Sequence, residues 1–360
     1  MHLSRLSRRD FLKLSMAVGG LAALSGIKGE AASPVDFSEF FPEEQEEWLA
    51  TPNLGRVANK QISLYSLPRD DARIIKQHYR DEVLNIYEEI TPPTGPAWNP
   101  LWYRVWGGYV HSANVQKVNI YQNPVVETIR PEGQLAEITV PYTRSYRFVR
   151  SEGWSRLYRL YYKTNHWVTG MDEGPDSNPW YQLTDELGDT KFFVPAHHVR
   201  LIPDEELTPI SPNVPFADKR IEVDLSRQVL TAYERDAQVF FSKISSGIRS
   251  QVPAGSLPTE TPTGTFNIHS KMPSKHMGEG RLTDNLEDYE LVGVPWTAFF
   301  DARGYAIHGT YWHNNFGVPM SRGCVNLPTE QAKWLFRWMV PVSAASTIEE
   351  TGFGTRVVIY

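Results

Sequence analysis

At 360 residues the chain is longer than a single hydrophobic core usually serves, which predicts two or three domains. Its 41% hydrophobic and 22% charged residues exclude wholesale disorder, and a formal net charge of -6 gives no footing for nucleic-acid binding. One cysteine excludes an internal disulfide framework, and no Cys/His spacing suits structural zinc.

Eleven Trp, 17 Tyr, 26 Pro and 25 Gly favour short strands and turns over long helices, so the expected fold is mainly β. The N-terminus carries Arg8-Arg9, then Phe11, Leu12 and Lys13, then a moderately apolar stretch from Leu14 to Ile27 and small residues at Ala31, Ala32 and Ser33. Residues 1–32 resemble a twin-arginine export signal, which implies the Tat machinery as a partner and the periplasm, cell wall or cell surface as destination. The apolar run is shorter than the ~20 residues of a membrane span. No cysteine near the cleavage region offers a lipid anchor.

Residues 33–50 read as an acidic linker. From there, alternating apolar and polar segments broken by Pro, Gly and Asn predict short strands in two blocks, 51–117 and 118–205. The second block repeats the ending of the first. Trp102-Tyr103 corresponds to Trp180-Tyr181, Tyr109-Val110 to Phe193-Val194, and Val115 to Val199. The two blocks resemble bacterial SH3-like domains, small β-barrels that would stand in tandem. The paired aromatics are expected to pack in the two cores, with a peptide-binding groove as the functional alternative. His197 and His198, if on a strand, would point to opposite faces and could not form a ligand pair.

Four prolines between Ile202 and Phe216 predict a stiff interdomain linker over 206–219. A third domain, 220–360, opens on a hairpin. Ile221, Val223 and Leu225 alternate, Ser226-Arg227-Gln228 turn the chain, and a second strand runs through Tyr233.

The chemistry concentrates in "AIHGTYWHNNFGVPMSRGCVNLP". Cys324, the lone thiol, follows His308 by sixteen positions, and its Ser, Arg, Gly and Asn neighbours argue against a core cysteine. Ala306-Ile307-His308 reads as the end of an apolar strand, which Gly309 and Thr310 let the chain leave sharply. An imidazole beside the thiol is what would generate thiolate near neutral pH, so Cys324 is the expected nucleophile and His308 its general base and acid. Gly323 allows a tight bend that would offer the N–H groups of Gly323 and Cys324 as an oxyanion hole. Ser321 braces this turn. His313 is a rival base whose plainer reading is a loop residue shaping the pocket. A helix is expected after Pro328 with Thr329 as N-cap, an apolar face of Ala332, Leu335, Phe336 and Met339, and a stop at Pro341. Residues 272–296 read as a lid, with His276 and Trp296 as candidate substrate contacts, or as a plain surface loop.

"IEVDLSRQVLTAYE", "TPTGTFNI" and "HGTYWHNNFGVPMSRGCVNL" occur in the order expected of the L,D-transpeptidase catalytic domain (YkuD type), which residues 220–360 resemble. That resemblance implies a β-rich domain with a few short helices. It further implies attack by Cys324 on the third, L-centred residue of a peptidoglycan tetrapeptide stem, release of D-alanine, and transfer to a neighbouring amine as a 3→3 cross-link. Carbapenem-type β-lactams would acylate the same thiol, and no metal or organic cofactor would be required. By the same resemblance Asn326 would orient substrate or loop. The family usually has histidine where this chain has Arg322. Arginine stays protonated and cannot be a base, but it can hold a thiolate or a substrate carboxylate. Several outcomes stay open on the same site: L,D-carboxypeptidase activity with water, transfer to a protein or a D-amino acid, or a catalytically silent wall-binding protein. A papain-like wall hydrolase would put its cysteine before its histidine, the reverse of the order here. Nothing in the sequence sets an oligomeric state.

Overall fold

The computed structural model describes residues 53–93, 96–187, 190–253 and 255–360; the expected signal and acidic linker lie outside them. As the Pro- and Gly-punctuated aromatic sequence predicts, the fold is mainly β. The N-terminal strands are β1 (Leu54–Val57), β2 (Gln61–Tyr65), β3 (Ile74–Tyr79), β4 (Val83–Asn85), β5 (Glu88–Ile90), β6 (Trp102–Val105), β7 (Gly108–His111) and β8 (Val115–Val118). They form a three-stranded sheet, β4-β1-β8, and a five-stranded one, β3-β2-β7-β6-β5, closed over Val57, Leu64, Tyr103, Val110 and Val115.

The next strands are β9 (Gln134–Ile138), β10 (Tyr142–Val149), β11 (Gly153–Tyr161), β12 (Asn165–Glu173), β13 (Pro179–Thr184), β14 (Lys191–Pro195) and β15 (Val199–Leu201). They make one seven-stranded sheet, β11-β10-β14-β13-β12-β9-β15. The sequence repeat has a structural counterpart. In each copy the Trp-Tyr pair lies on one strand (β6, β13), the next strand (β7, β14) pairs with it, and a 3-10 turn leads to the valine that opens the last strand (β8, β15). All four aromatics are 1% exposed or less, so they supply cores rather than a groove. His197 and His198 lie in the 3-10 turn of residues 196–198 rather than on a strand, with ring centroids 4.3 Å apart. His198 is buried on Thr143 Oγ1 (2.9 Å).

The C-terminal part holds β16 (Lys219–Asp224), β17 (Val229–Glu234), β18 (Ala237–Lys243), β19 (Gly264–Asn267), β20 (Ser270–Gly278), β21 (Glu290–Asp301), β22 (Tyr305–Thr310), β23 (Val325–Pro328), helix α1 (Thr329–Trp338), β24 (Glu350–Thr351) and β25 (Arg356–Ile359). Two five-stranded sheets result, β18-β17-β16-β25-β19 and β23-β22-β21-β20-β24. The opening hairpin turns as expected, with Asp224 Oδ1 accepting from the N–H groups of Ser226 and Arg227 (3.0 Å each). Helix α1 buries Ala332, Leu335 and Phe336 between the sheets, together with Ile221, Val223, Ile307, Val325 and Leu327. Its N-cap is Pro328 rather than Thr329, whose hydroxyl instead donates to Thr310 O (3.3 Å).

Two expectations about the intervening segments change. The proline-rich stretch is no free spacer: Leu207 and Ile210 pack on the C-terminal core, and Arg337 of α1 donates to Thr208 O (2.8 Å). Leu135, Trp167 and Ile202 of the middle sheet join that same core, so the middle sheet is fastened by apolar burial. The lid over 272–296 is largely two buried strands, β20 and β21, and only the connection 279–289 projects. Trp296 packs against Phe336 (ring centroids 5.5 Å) and His276 is buried against carboxylates, so neither is a substrate contact.

Candidate active site

Strands β22 and β23 run side by side in parallel, with Ile307 opposite Val325, His308 opposite Asn326 and Gly309 opposite Leu327. Residues alternate faces along a strand. Tyr305, Ile307, Val325 and Leu327 point into the core with α1, so Ala306, His308, Thr310 and Asn326 face the other way. Cys324 precedes β23 by one residue and continues the Asn326 face, with its thiol in backbone hydrogen-bond contact at Ala306. His308 and Cys324 are thus diagonal neighbours on one face, with Cα atoms about 8 Å apart by strand spacing and rise, a span that two side chains can close.

His308 is 2% exposed and its Nδ1 lies 2.8 Å from Gly309 O. A carbonyl only accepts, so Nδ1 carries the proton and Nε2 presents its lone pair. Burial holds this imidazole down at about 4, with the Gly309 bond a partial offset. Cys324 is partly exposed, yet desolvation pushes its thiol up to about 11. The sequence alone suggested a thiolate stabilised by the imidazole. The structure gives a neutral thiol beside a neutral imidazole, because both charged forms are desolvated.

The turn before Cys324 is built on glycine and hydroxyls. Gly323 has φ +109, and a Cβ there would meet the Tyr305 ring at 2.2 Å. Ser321 Oγ donates to Cys324 O (2.6 Å) and accepts from the Gly323 N–H (3.1 Å). That bond corrects the expected oxyanion hole: the Gly323 N–H is engaged with Ser321, which leaves the Cys324 N–H of the expected pair. Thr261 Oγ1 donates to Gly323 O (2.9 Å) and accepts from the Gly247 N–H (2.8 Å).

His313, the rival base, is buried and held at about 3 by desolvation. The Asn315 N–H donates to its Nδ1 (3.2 Å), so the ring proton sits on Nε2. Asn326 Nδ2 lies 3.0 Å from that Nε2, and two donors cannot bond, while Asn326 Oδ1 is buried without a partner. Exchanging the two ends of the amide lets Oδ1 accept from the ring N–H. His313 therefore has no free lone pair, and it contacts Asn326. Gly309 is required by close packing, since a Cβ would come within 2.9 Å of Pro295. Thr310 Oγ1 is buried with no partner among the described residues. Arg322 is exposed, with its guanidinium 4.4 Å from the Tyr289 ring centroid.

Sequence reasoning missed the segment after β18. Ser245 pairs with Asn326 through two backbone bonds (3.0 and 2.9 Å), and the Ser321 and Ile248 N–H groups bond to Ser246 O and Ser321 O. Ser245 Oγ donates to Asn315 O (2.9 Å), and Gln228 bonds both the N–H and the hydroxyl of Ser246. The small-residue run Ser245-Ser246-Gly247 was the available signal, because a Cβ on Gly247 would collide with Thr259 O at 2.1 Å and Gly323 Cα at 2.8 Å.

Two clefts border the site. One, of about 330 Å³, lies where all three β units meet and includes Arg56, Arg159, Tyr289, Trp312 and Arg322. The other, of about 490 Å³, includes Tyr162, Thr310, His313 and Phe316. With a thiol, a buried neutral imidazole of fixed tautomer and a glycine turn on one sheet face, the arrangement suits acyl transfer.

Residues 218–359 match the family model of the L,D-transpeptidase catalytic domain. Residues 5–25 match that of the twin-arginine translocation pathway signal, which addresses the chain to the Tat route and so to the periplasm or cell wall. Solved structures similar to this chain include an L,D-transpeptidase from Xylanimonas cellulosilytica (26% identity, 39% of this chain and 60% of that one, TM-score 0.29). A mutant Enterococcus faecium L,D-transpeptidase is also similar (26%, 40% and 50%, TM-score 0.29). So is the catalytic domain of the E. faecium enzyme acylated by ertapenem (24%, 40% and 97%, TM-score 0.28). The matched segment spans 60% and 50% of the first two chains. No curated protein matches this chain. The transpeptidase-type domain therefore begins at β16, and everything N-terminal to it stands outside the family match.

Proposed function

We propose that the protein is a peptidoglycan L,D-transpeptidase forming 3→3 cross-links through a Cys324 thioester. The observation that carries the reading is the convergence of His308 and Cys324 on one face of the β22–β23 pair, with the imidazole Nδ1 tied to Gly309 O. His308 Nε2 takes the thiol proton as sulfur adds to the carbonyl of the third stem residue, and the Cys324 N–H donates to the oxyanion. Collapse breaks the C–N bond, and the imidazolium returns its proton to the departing D-alanine nitrogen. A side-chain amine of a second stem then attacks the thioester, His308 accepts the amine proton, and Cys324 leaves and is reprotonated. Because thiol and imidazole both start neutral, the proton moves only as the carbon–sulfur bond forms. The same reading takes residues 51–117 and 118–205 as SH3-like units and 220–360 as the catalytic domain.

Incubation with a disaccharide-tetrapeptide and mass spectrometry tests the proposal. The expected products are free D-alanine and a tripeptide-linked dimer, both lost in Cys324→Ala. A carbapenem should leave one covalent adduct on Cys324. Tripeptide monomer alone would make the enzyme a carboxypeptidase, and no turnover with stems retained on the protein would sink the enzymatic reading.

A further inference from the structure

We infer that Arg322 is the residue that reads the free terminal carboxylate of the donor stem, making the enzyme selective for donors that end one residue beyond the attacked carbonyl. The inference deepens the transpeptidase reading and rests on it. Four arginines line the cleft of about 330 Å³ at the junction of the three β units. Three are committed. Arg56 bonds Asp81 Oδ1 (2.9 Å), Tyr311 O (2.9 Å) and Gln116, while Arg159 bonds the other oxygen of Asp81. Arg80 bonds Leu286 O and stands 3.6 Å from Glu287.

Arg322 has no carboxylate partner among the described residues; its guanidinium lies 4.4 Å from the Tyr289 ring centroid, a cation–π contact that uses none of its five N–H donors. Most carboxylates bordering the same cleft are already engaged. Glu287 pairs with Lys60, Glu290 with His276, and Asp288 accepts from Thr283; Asp284 is exposed on the projecting connection.

Position supplies the rest of the argument. Arg322 stands two residues before the nucleophile, on the turn that Ser321 and Gly323 hold rigid. In a tetrapeptide donor the terminal carboxylate lies one residue past the attacked carbonyl, about 3.8 Å along the chain. A pentapeptide puts an uncharged amide at that point and moves its carboxylate one residue further away. A charge-assisted, bidentate bond from Arg322 therefore rewards the shorter donor, and it also holds the leaving amino acid during proton return.

Binding to the Cys324→Ala protein, measured by calorimetry with a tetrapeptide stem and with its C-terminal amide, isolates this contact from turnover. The acid should bind roughly tenfold tighter than the amide. Arg322→Gln should bring the two to equal affinity, and Arg322→Lys should keep part of the difference. Failure of the acid to bind, equal affinities with Arg322 present, or a preference that survives Arg322→Gln would each overturn the inference. Turnover by the wild-type protein is a separate arm: acid preference that depends on Arg322 without any turnover would remove the transpeptidase reading and leave the carboxylate site standing.

Discussion

His308 and His276 lie two strands apart in the same sheet, on β22 and β20 with β21 between them, and both are buried. Burial opposes the charged form at each, but the outcome differs. His308 has only a neutral carbonyl on Nδ1 and is held at about 4. His276 is also penalised by burial, yet Asp185 on Nδ1 and Glu290 on Nε2, each at 2.9 Å, raise it above the ordinary imidazole value. With an acceptor on both nitrogens it must be the imidazolium. Asp185 follows β13 of the middle sheet, so this ion triad clamps that sheet to the transpeptidase-type domain beside Lys275–Glu186 (2.7 Å). One histidine stays neutral because it has no anion, which suits the proposed role of base; the other is held as a cation because it has two. Partners, more than burial, decide what a buried histidine does.

Substitution separates the two roles. His308→Gln should lower turnover roughly 10²–10⁴-fold with little loss of stability, while His313→Gln keeps most of the activity. Steady-state kinetics on both variants checks this, and the reverse ranking would reassign the base. His276→Ala leaves two buried carboxylates facing each other and should cost about 3–5 kcal/mol in denaturant titration, with activity per folded molecule retained. If its loss instead abolished turnover at full stability, the clamp would belong to the chemistry.

The two histidines also differ in the pH dependence of stability. His308, held at about 4, and His166, His198 and His313, held at about 3, are neutral in the fold, whereas each takes a proton near its ordinary 6.5 when unfolded. Their stabilisation is complete above about 6.5 and is lost as pH falls toward those lower values. His276 has the opposite sign: its contribution is present below the unfolded value and is lost as pH rises through its raised one. Thermal melts across pH should show Tm falling on the acid side, and His276→Gln should flatten the alkaline side.

Much of the site was legible because covalent neighbours impose it. A glycine that must bend at φ +109 and a thiol next to it are readable at fixed spacing, whereas His308 does not end its strand, since β22 runs on through Gly309 and Thr310. The repeated Trp-Tyr strands were readable too, since a short strand that buries two large aromatics constrains its own pattern. The lid over 272–296 was misread because length and Gly/Met/Pro content say little about a strand buried on both faces. The oxyanion donors were half misread for a different reason: Ser321 was named as a brace, but only its bond length and direction reveal that it takes the Gly323 N–H.

From the sequence by itself come the export signal, the mainly β class, the proposal of Cys324 as nucleophile with His308 as its base, and the arginine where the resembled family has a histidine, all carried by residue type and local spacing. Tertiary structure alone decided the opposite tendencies of His308 and His276 toward charge, the occupation of both His313 nitrogens, and the lack of a carboxylate partner for Arg322 among the described residues. Those depend on solvent exclusion and on atoms far apart in the chain, such as Asp185 against His276 or Ser245 against Asn326, which no local pattern encodes.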